Sequence, residues 1–186
     1  MKRLFDLLFA ILLSLIFLFP CLLIALAIRI TSPGPVLYWS DRVGRKNVIF
    51  RMPKFRTMRI DTPAVATHLL GDPDRYLTPI GSFLRRSSLD ELPQLWSILK
   101  GDMSFVGPRP ALFNQYDLIE HRTHHRVDTL LPGLTGWAQI NGRDELNIQE
   151  KVKFDAEYLR LQSMLFDLKI LLWTLLRVVR RDGVSH

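Results

Sequence analysis

Apolar residues fill the chain from Leu4 to Ile28, broken only by Asp6, Ser14, Pro20 and Cys21. At about 1.5 Å per residue a helix of that length crosses the hydrocarbon layer, so a single transmembrane anchor is one reading. The flanks point to another. Lys2 and Arg3 precede the segment and Arg29, Arg42, Arg45 and Lys46 follow it, which pulls both ends toward the same side of a membrane. Pro20 removes a helical hydrogen bond inside the run and favours a kink, so a re-entrant hairpin is the second reading. A signal peptide fits neither the length of the run nor Ile28-Arg29-Ile30-Thr31, which lacks a small-residue cleavage site.

Beyond the apolar run the pattern shortens. Thr31-Ser32-Pro33-Gly34-Pro35 is a turn cluster, Val36–Trp39 reads as a strand, and Val48–Met52 is its hairpin partner through Gly44-Arg45-Lys46-Asn47. Asp61 to Thr78 is polar and proline-punctuated, a loop with one short helical turn. Leu92 to Leu99 repeats at helical spacing and stops at Lys100-Gly101. Residues 111–131 have helical composition up to Pro132-Gly133. Lys151 to Arg181 predicts one long helix, either an ordinary core helix or a helix lying in the headgroup plane with Trp173 at the interface. The fold class expected is α+β, mainly helical, with a small β-hairpin.

Composition narrows the class. The chain has 186 residues, a net charge of +7 and one cysteine, which suits one compact domain in a reducing environment and excludes a disulfide-stapled scaffold. The charge is uneven. Residues 1–60 hold ten Lys/Arg against Asp6 and Asp41, a net +8, whereas residues 61–186 hold 15 basic and 16 acidic side chains, a net −1. A basic margin on the most apolar part of the chain suits anionic lipid headgroups, and argues against nucleic acid as a partner.

Four motifs offer chemistry. In Ser88-Leu89-Asp90-Glu91-Leu92-Pro93 two adjacent carboxylates open a helix. Ser88 and Glu91 have capping-box spacing, so the pair is either a structural cap or a site where Asp90 stays ionised beside free amides. In Gly107-Pro108-Arg109-Pro110 two prolines fix the backbone around a guanidinium, as phosphate recognition requires and a plain rigid turn also explains. In Gly133-Leu134-Thr135-Gly136-Trp137-Ala138-Gln139-Ile140-Asn141-Gly142-Arg143 glycines let a backbone approach a ligand that Gln139, Asn141 and Arg143 would read; a connecting loop is the alternative. Lys54 and Arg56 in Pro53–Arg59 either hold a lipid phosphate or solvate the interface. His121 and His125 share a helical face, but no third metal ligand stands at a familiar spacing.

Taken together, Lys54-Phe55-Arg56-Thr57-Met58, the Ser88–Leu95 segment, Leu99–Pro110 and Pro132–Arg143 closely resemble the bacterial sugar transferase family, the monotopic polyprenyl-phosphate phosphoglycosyl transferases. The resemblance covers nearly the whole chain and points to the small class. It implies transfer of a sugar 1-phosphate from a UDP-sugar to polyprenyl (undecaprenyl) phosphate with release of UMP, initiating glycoconjugate assembly such as O-antigen, capsule or N-glycan, with Mg²⁺ required.

By the same resemblance Asp90 is the nucleophile, forming a phosphosugar-aspartyl intermediate, and Glu91 is its dyad partner, as base or metal neighbour. Both would be metal ligands. Arg109 would hold a phosphate, with Arg85 and Arg86 as basic residues upstream of the dyad. The resemblance also implies a re-entrant helix at residues 1–30, broken at Pro20, and a membrane-associated catalytic domain at 31–186 on the cytoplasmic face of the bacterial inner membrane, with interfacial helices. Phe19 stands where small members often carry serine, which leaves the kink angle open. Partners implied are UDP-sugar, polyprenyl phosphate and membrane lipids; oligomeric state is open, a homodimer included. The alternative from another class is a non-catalytic, membrane-anchored module binding anionic lipid or nucleotide.

Overall fold

The computed structural model describes residues 1–63, 72–142 and 146–180. Helix α1, Lys2–Thr31, stays helical through Pro20 rather than separating into two helices. Proline has no N–H to give the carbonyl four residues back, so the cost is one bond within a long leucine-rich segment. Only Asp6, Ala10 and Ile28 of this helix are buried, while Leu8, Leu12, Leu15, Phe19, Leu22 and Leu26 are exposed.

Both ends of α1 are docked on the rest of the chain. Lys2 Nζ lies 2.6 Å from Asp167 Oδ2, and the Arg3 guanidinium donates to the carbonyls of Ile98 and Leu99 at 2.6 and 2.9 Å. Asp6 accepts the Phe105 N–H, and Phe9 packs on Phe105 with ring centroids 4.9 Å apart. At the other end Ile28 packs with Phe55 and Leu84. Residues 1–30 are therefore no separate appendage: Ala10 belongs to the main core with Phe50, Met52, Ile98, Met103, Phe105 and Ile170. Burying each large apolar side chain contributes about 1.5–3 kcal/mol.

The expected hairpin is present and longer than its apolar cores suggested. Strand β1, Leu37–Val43, pairs antiparallel with β2, Ile49–Phe55, from Leu37 opposite Phe55 to Val43 opposite Ile49. Alternation puts Ser40 and Arg42 of β1 on the same face as Phe50, Met52 and Lys54 of β2, and the core packs against that face.

Next come α2, Gly81–Arg86, a 3₁₀ turn at Leu89–Gln94, and α3, Leu95–Lys100. Gly101 ends α3 at φ +103°, the glycine stop read from the sequence. Strand β3, Ser104–Val106, pairs in parallel with β4, Gly133–Thr135, an element the pattern did not announce. Between them α4 covers only Tyr116–His124 of the helical stretch expected over 111–131.

A short α5, Trp137–Ile140, precedes the C-terminal pair. The single helix expected from Lys151 is in fact two: α6, Ile148–Leu161, and α7, Met164–Arg180. Asn147 and Glu150 close a capping box that starts α6 earlier than predicted. Gln162 leaves helical geometry at ψ 114°, and the Ser163 hydroxyl accepts the Phe166 N–H to cap α7. In α7 Asp167 and Ile170 are buried whereas Leu165, Leu168, Leu172, Trp173 and Leu175 are exposed, the reverse of an ordinary core helix. Helices and a two-stranded hairpin make this α+β and mainly helical, as expected.

Candidate active site

The two adjacent carboxylates stand in the 3₁₀ turn, not in the first turn of an α-helix, because Pro93 cannot donate into one. Ser88 sits in the left-handed region at φ +55° and makes no side-chain cap, so the capping-box reading is excluded. The Glu91 carboxylate turns inward instead. Its Oε1 accepts from Lys54 Nζ at 2.8 Å and from Arg109 Nη2 at 3.2 Å. The same Lys54 nitrogen stands 4.0 Å from Asp90 Oδ2. Strand β2 brings Lys54 to the turn, and the loop after β3 brings Arg109.

The two acids differ in electrostatic setting. Burial alone would raise Glu91, but the charges of Lys54 and Arg109 and their hydrogen bonds hold its carboxyl well below the usual carboxylate range. Asp90 is 9% exposed, and burial pushes it above its usual value, reinforced by the Glu91 charge and opposed by Lys54, Arg85 and Arg109. Glu91 is thus a fixed anion neutralised by two cations. Asp90 is the carboxylate left with no hydrogen-bond donor among the described residues, which is what a nucleophile needs.

Of the remaining candidates, Arg85 belongs to this cluster: its Nε donates to Thr57 Oγ1 at 3.0 Å and its charge acts on Asp90. Arg86 is exposed. Arg56 is buried and spent elsewhere, donating to the carbonyls of Ser32 and Pro33 at 2.9 and 2.7 Å beyond the end of α1. Asn141 Nδ2 donates to the Trp137 carbonyl at 2.8 Å, while the Gln139 amide oxygen and nitrogen are both enclosed without a partner among the described residues. Arg143 lies outside the described residues.

The glycines of this loop meet backbone rather than open space. A Cβ on Gly133 would lie 2.1 Å from the Gly107 nitrogen, and one on Gly136 2.1 Å from the Gly107 carbonyl oxygen, so both are needed for the β3–β4 contact.

Arg42 is a site residue that the motif reading passed over. It is half-buried, donates from Nε to Ser40 Oγ at 3.0 Å and from Nη1 to the Pro110 carbonyl at 3.2 Å, and so lies beside Arg109. Burial and then the Arg109 charge pull its guanidinium down to about 10, against the raising effect of Glu91. The hairpin alternation contained the signal, since Arg42 shares parity with the inward-facing Ser40.

Side by side, Asp90 and Glu91 offer hard oxygen donors of the kind Mg²⁺ takes, one or two carboxylates completed by water and substrate phosphate. No cluster of three or more potential metal-ligating His, Cys, Asp or Glu residues occurs among the described residues, so a dedicated all-protein metal cage is not formed there. Adjacent carboxylates in unequal fields, with Lys54, Arg85, Arg109 and Arg42 around them, stand next to an exposed apolar helix, a mixed-charge cluster chemically suited to anionic ligands.

The chain belongs to the bacterial sugar transferase family, whose sequence model matches residues 1–181. It is 43% identical over 188 residues to the UDP-glucose:undecaprenyl-phosphate glucose-1-phosphate transferase of Escherichia coli (strain K12), covering 95% of this chain and 40% of that protein. It is 38% identical over 202 residues to the undecaprenyl-phosphate galactose phosphotransferase of Salmonella typhimurium, covering 98% of this chain and 41% of that one. The chain thus spans about two fifths of the length of these two relatives. An uncharacterized sugar transferase of Bacillus subtilis (strain 168), EpsL, is 40% identical over the whole chain and 91% of its own length.

Proposed function

We propose that the protein transfers a sugar 1-phosphate from a UDP-sugar to undecaprenyl phosphate and releases UMP, as the first step of building a glycoconjugate on a lipid carrier. The observation that supports this most is the pair Asp90 and Glu91: one carboxylate neutralised by Lys54 and Arg109, its neighbour without a hydrogen-bond donor among the described residues.

In the first step an Asp90 carboxylate oxygen attacks the β-phosphorus, the bond from that phosphorus to the bridging oxygen breaks, and UMP leaves with the electron pair. A phosphosugar-aspartyl acyl phosphate remains. In the second step a phosphate oxygen of undecaprenyl phosphate attacks the same phosphorus and the bond to Asp90 breaks, restoring the carboxylate and giving undecaprenyl diphosphate sugar. Two displacements at one site let two bulky anions react in turn rather than together. Arg109, Lys54 and Arg85 offset phosphate charge, and Glu91 keeps Lys54 and Arg109 in place between turnovers. Asp90 and Glu91 would hold Mg²⁺, which supplies further neutralisation of the phosphates when bound.

The membrane arrangement in this proposal is re-entrant. Lys2 and Ile28, near opposite ends of α1, both dock on the same body, so an α1 crossing the bilayer would have to carry that body with it. The exposed leucines of α1 and the outward apolar face of α7 then meet lipid, with the basic margin at headgroup depth, where the acceptor phosphate lies.

The test is UMP release from a panel of UDP-sugars with undecaprenyl phosphate and Mg²⁺, together with intact mass of the Asp90 peptide. Release that requires the acceptor phosphate, and a mass increase of one phosphosugar on that peptide, are expected. Binding of UDP-sugar with no UMP released from any member of the panel would favour the non-catalytic binding module. A cysteine placed at Lys2 should be labelled from the cytoplasmic side; labelling from the opposite side would overturn the re-entrant arrangement.

A further inference from the structure

The Pro108-Arg109-Pro110 turn is tied at every carbonyl. The Pro108 oxygen accepts the Gly133 N–H at 2.9 Å, the Arg109 oxygen accepts Arg122 Nη1 at 2.8 Å, and the Pro110 oxygen accepts Arg42 Nη1 at 3.2 Å. Two of the three residues have no N–H, so the carbonyls are the only backbone groups through which the prolines can be held. The Arg122 bond differs from the others because its donor is held by a buried carboxylate. Arg122 lies on α4, and its Nε and Nη2 both donate to Asp155 Oδ2 of α6, at 2.9 and 2.7 Å. The pair is 11% and 1% exposed in its side chains.

We infer that Arg122, braced by Asp155, is a positioning residue: it fixes the backbone of Arg109, and hence the direction of the guanidinium that meets Glu91. Three arguments support this assignment. A buried ion pair contributes little net stability by itself, yet this one spends its remaining guanidinium nitrogen on a single carbonyl of the site. Its elements, α4 and α6, supply none of Asp90, Glu91, Lys54 or Arg109, and the Arg109 carbonyl is where the Arg122 side chain meets the site. A guanidinium on a long flexible stem recognises phosphate well only if its own backbone is held still. The inference rests on the proposal that Arg109 holds a substrate phosphate.

The test is a double-mutant cycle on the full chain, read as affinity for UDP in the presence of Mg²⁺ by calorimetric titration. Wild type, Arg109→Lys, Arg122→Gln and the double variant are compared, with thermal midpoints recorded. Arg122→Gln should weaken UDP binding about 10-fold when Arg109 is present and less than about twofold in the Arg109→Lys background. Equal losses in both backgrounds, or wild-type affinity for Arg122→Gln, would overturn the positioning role. Wild-type affinity for Arg109→Lys would instead refute the phosphate role of Arg109 itself. Arg122→Lys keeps a cation against Asp155 but cannot also span to the carbonyl. It guards against misfolding, and it should weaken UDP binding at an unchanged thermal midpoint.

Discussion

Lys54 Nζ donates to Glu91 Oε1 at 2.8 Å while standing 4.0 Å from Asp90 Oδ2, so one ammonium serves two adjacent carboxylates unequally. The nearer acid is held ionised, with its Oε1 taken by Lys54 and Arg109. The farther one keeps its oxygens available, and its titration responds to Lys54 through charge alone.

Replacing Lys54 with Met should move the acid limb of kcat/KM to higher pH. Burial raises Asp90 and Lys54 is the largest influence pulling it down, so removing the ammonium raises Asp90 further. Activity needs the ionised form, so the loss should be larger at pH 6 than at pH 8. An acid limb at its original position in the variant would show that Asp90 is not the group that titrates.

Asp90→Asn should abolish UMP release, by at least about 10³-fold, without lowering the thermal midpoint. The sign follows from linkage. A carboxyl raised in the folded state binds protons more readily there than when unfolded, so its ionised form costs stability above that range, and a neutral amide removes the cost. Scanning calorimetry at pH 7.5 beside the activity assay checks both halves.

Glu91→Gln should destabilise. Its carboxyl is held below the usual range, so its stabilisation is present above the unfolded-state value and fades as pH falls through the folded one. The variant leaves Lys54, 17% exposed in its side chain, without its close carboxylate, a loss of about 1–3 kcal/mol. Urea unfolding at pH 7.5 should show the deficit in full, and it should begin to shrink only below about pH 4.5.

Asp167 ties α1 to α7 by accepting from Lys2 Nζ at 2.6 Å and from the Tyr158 hydroxyl at 2.7 Å, and it is 2% exposed. Asp167→Ala takes the close carboxylate from Lys2 and leaves the Tyr158 hydroxyl with only the Val106 carbonyl, 3.2 Å away, and should cost about 2–4 kcal/mol. Asp167→Asn keeps an acceptor for Tyr158 and should cost less. Unfolding midpoints of equal size for the two variants would show that the bond to Tyr158 contributes nothing.

Much of this protein was legible in its sequence because the signals are local. The apolar run to Ile28, the hairpin with its Gly44–Asn47 turn, the stop of α3 at Gly101 and the Asp90-Glu91 pair each follow from a few neighbouring residues. The misread parts depend on contacts between distant segments. Strands β3 and β4 have three residues each, too few to show a period, and exist because Gly107, Gly133 and Gly136 let two backbones meet. Gln162 and Ser163 look like any polar pair in a helical stretch, yet the hydroxyl of Ser163 caps α7 and splits the helix.

Lys54 and Arg56 mark the boundary most clearly. Both are cations of one short motif, two residues apart, and strand alternation would give them one face. Lys54 reaches Glu91, whereas Arg56 turns back to the carbonyls of Ser32 and Pro33. The sequence by itself determined which residues bring charge, and to which part of the chain. Only the tertiary structure decided which charge meets the dyad, because a long cationic side chain goes to whichever acceptor the other elements bring within reach, and those acceptors lie 23, 24 and 37 residues away.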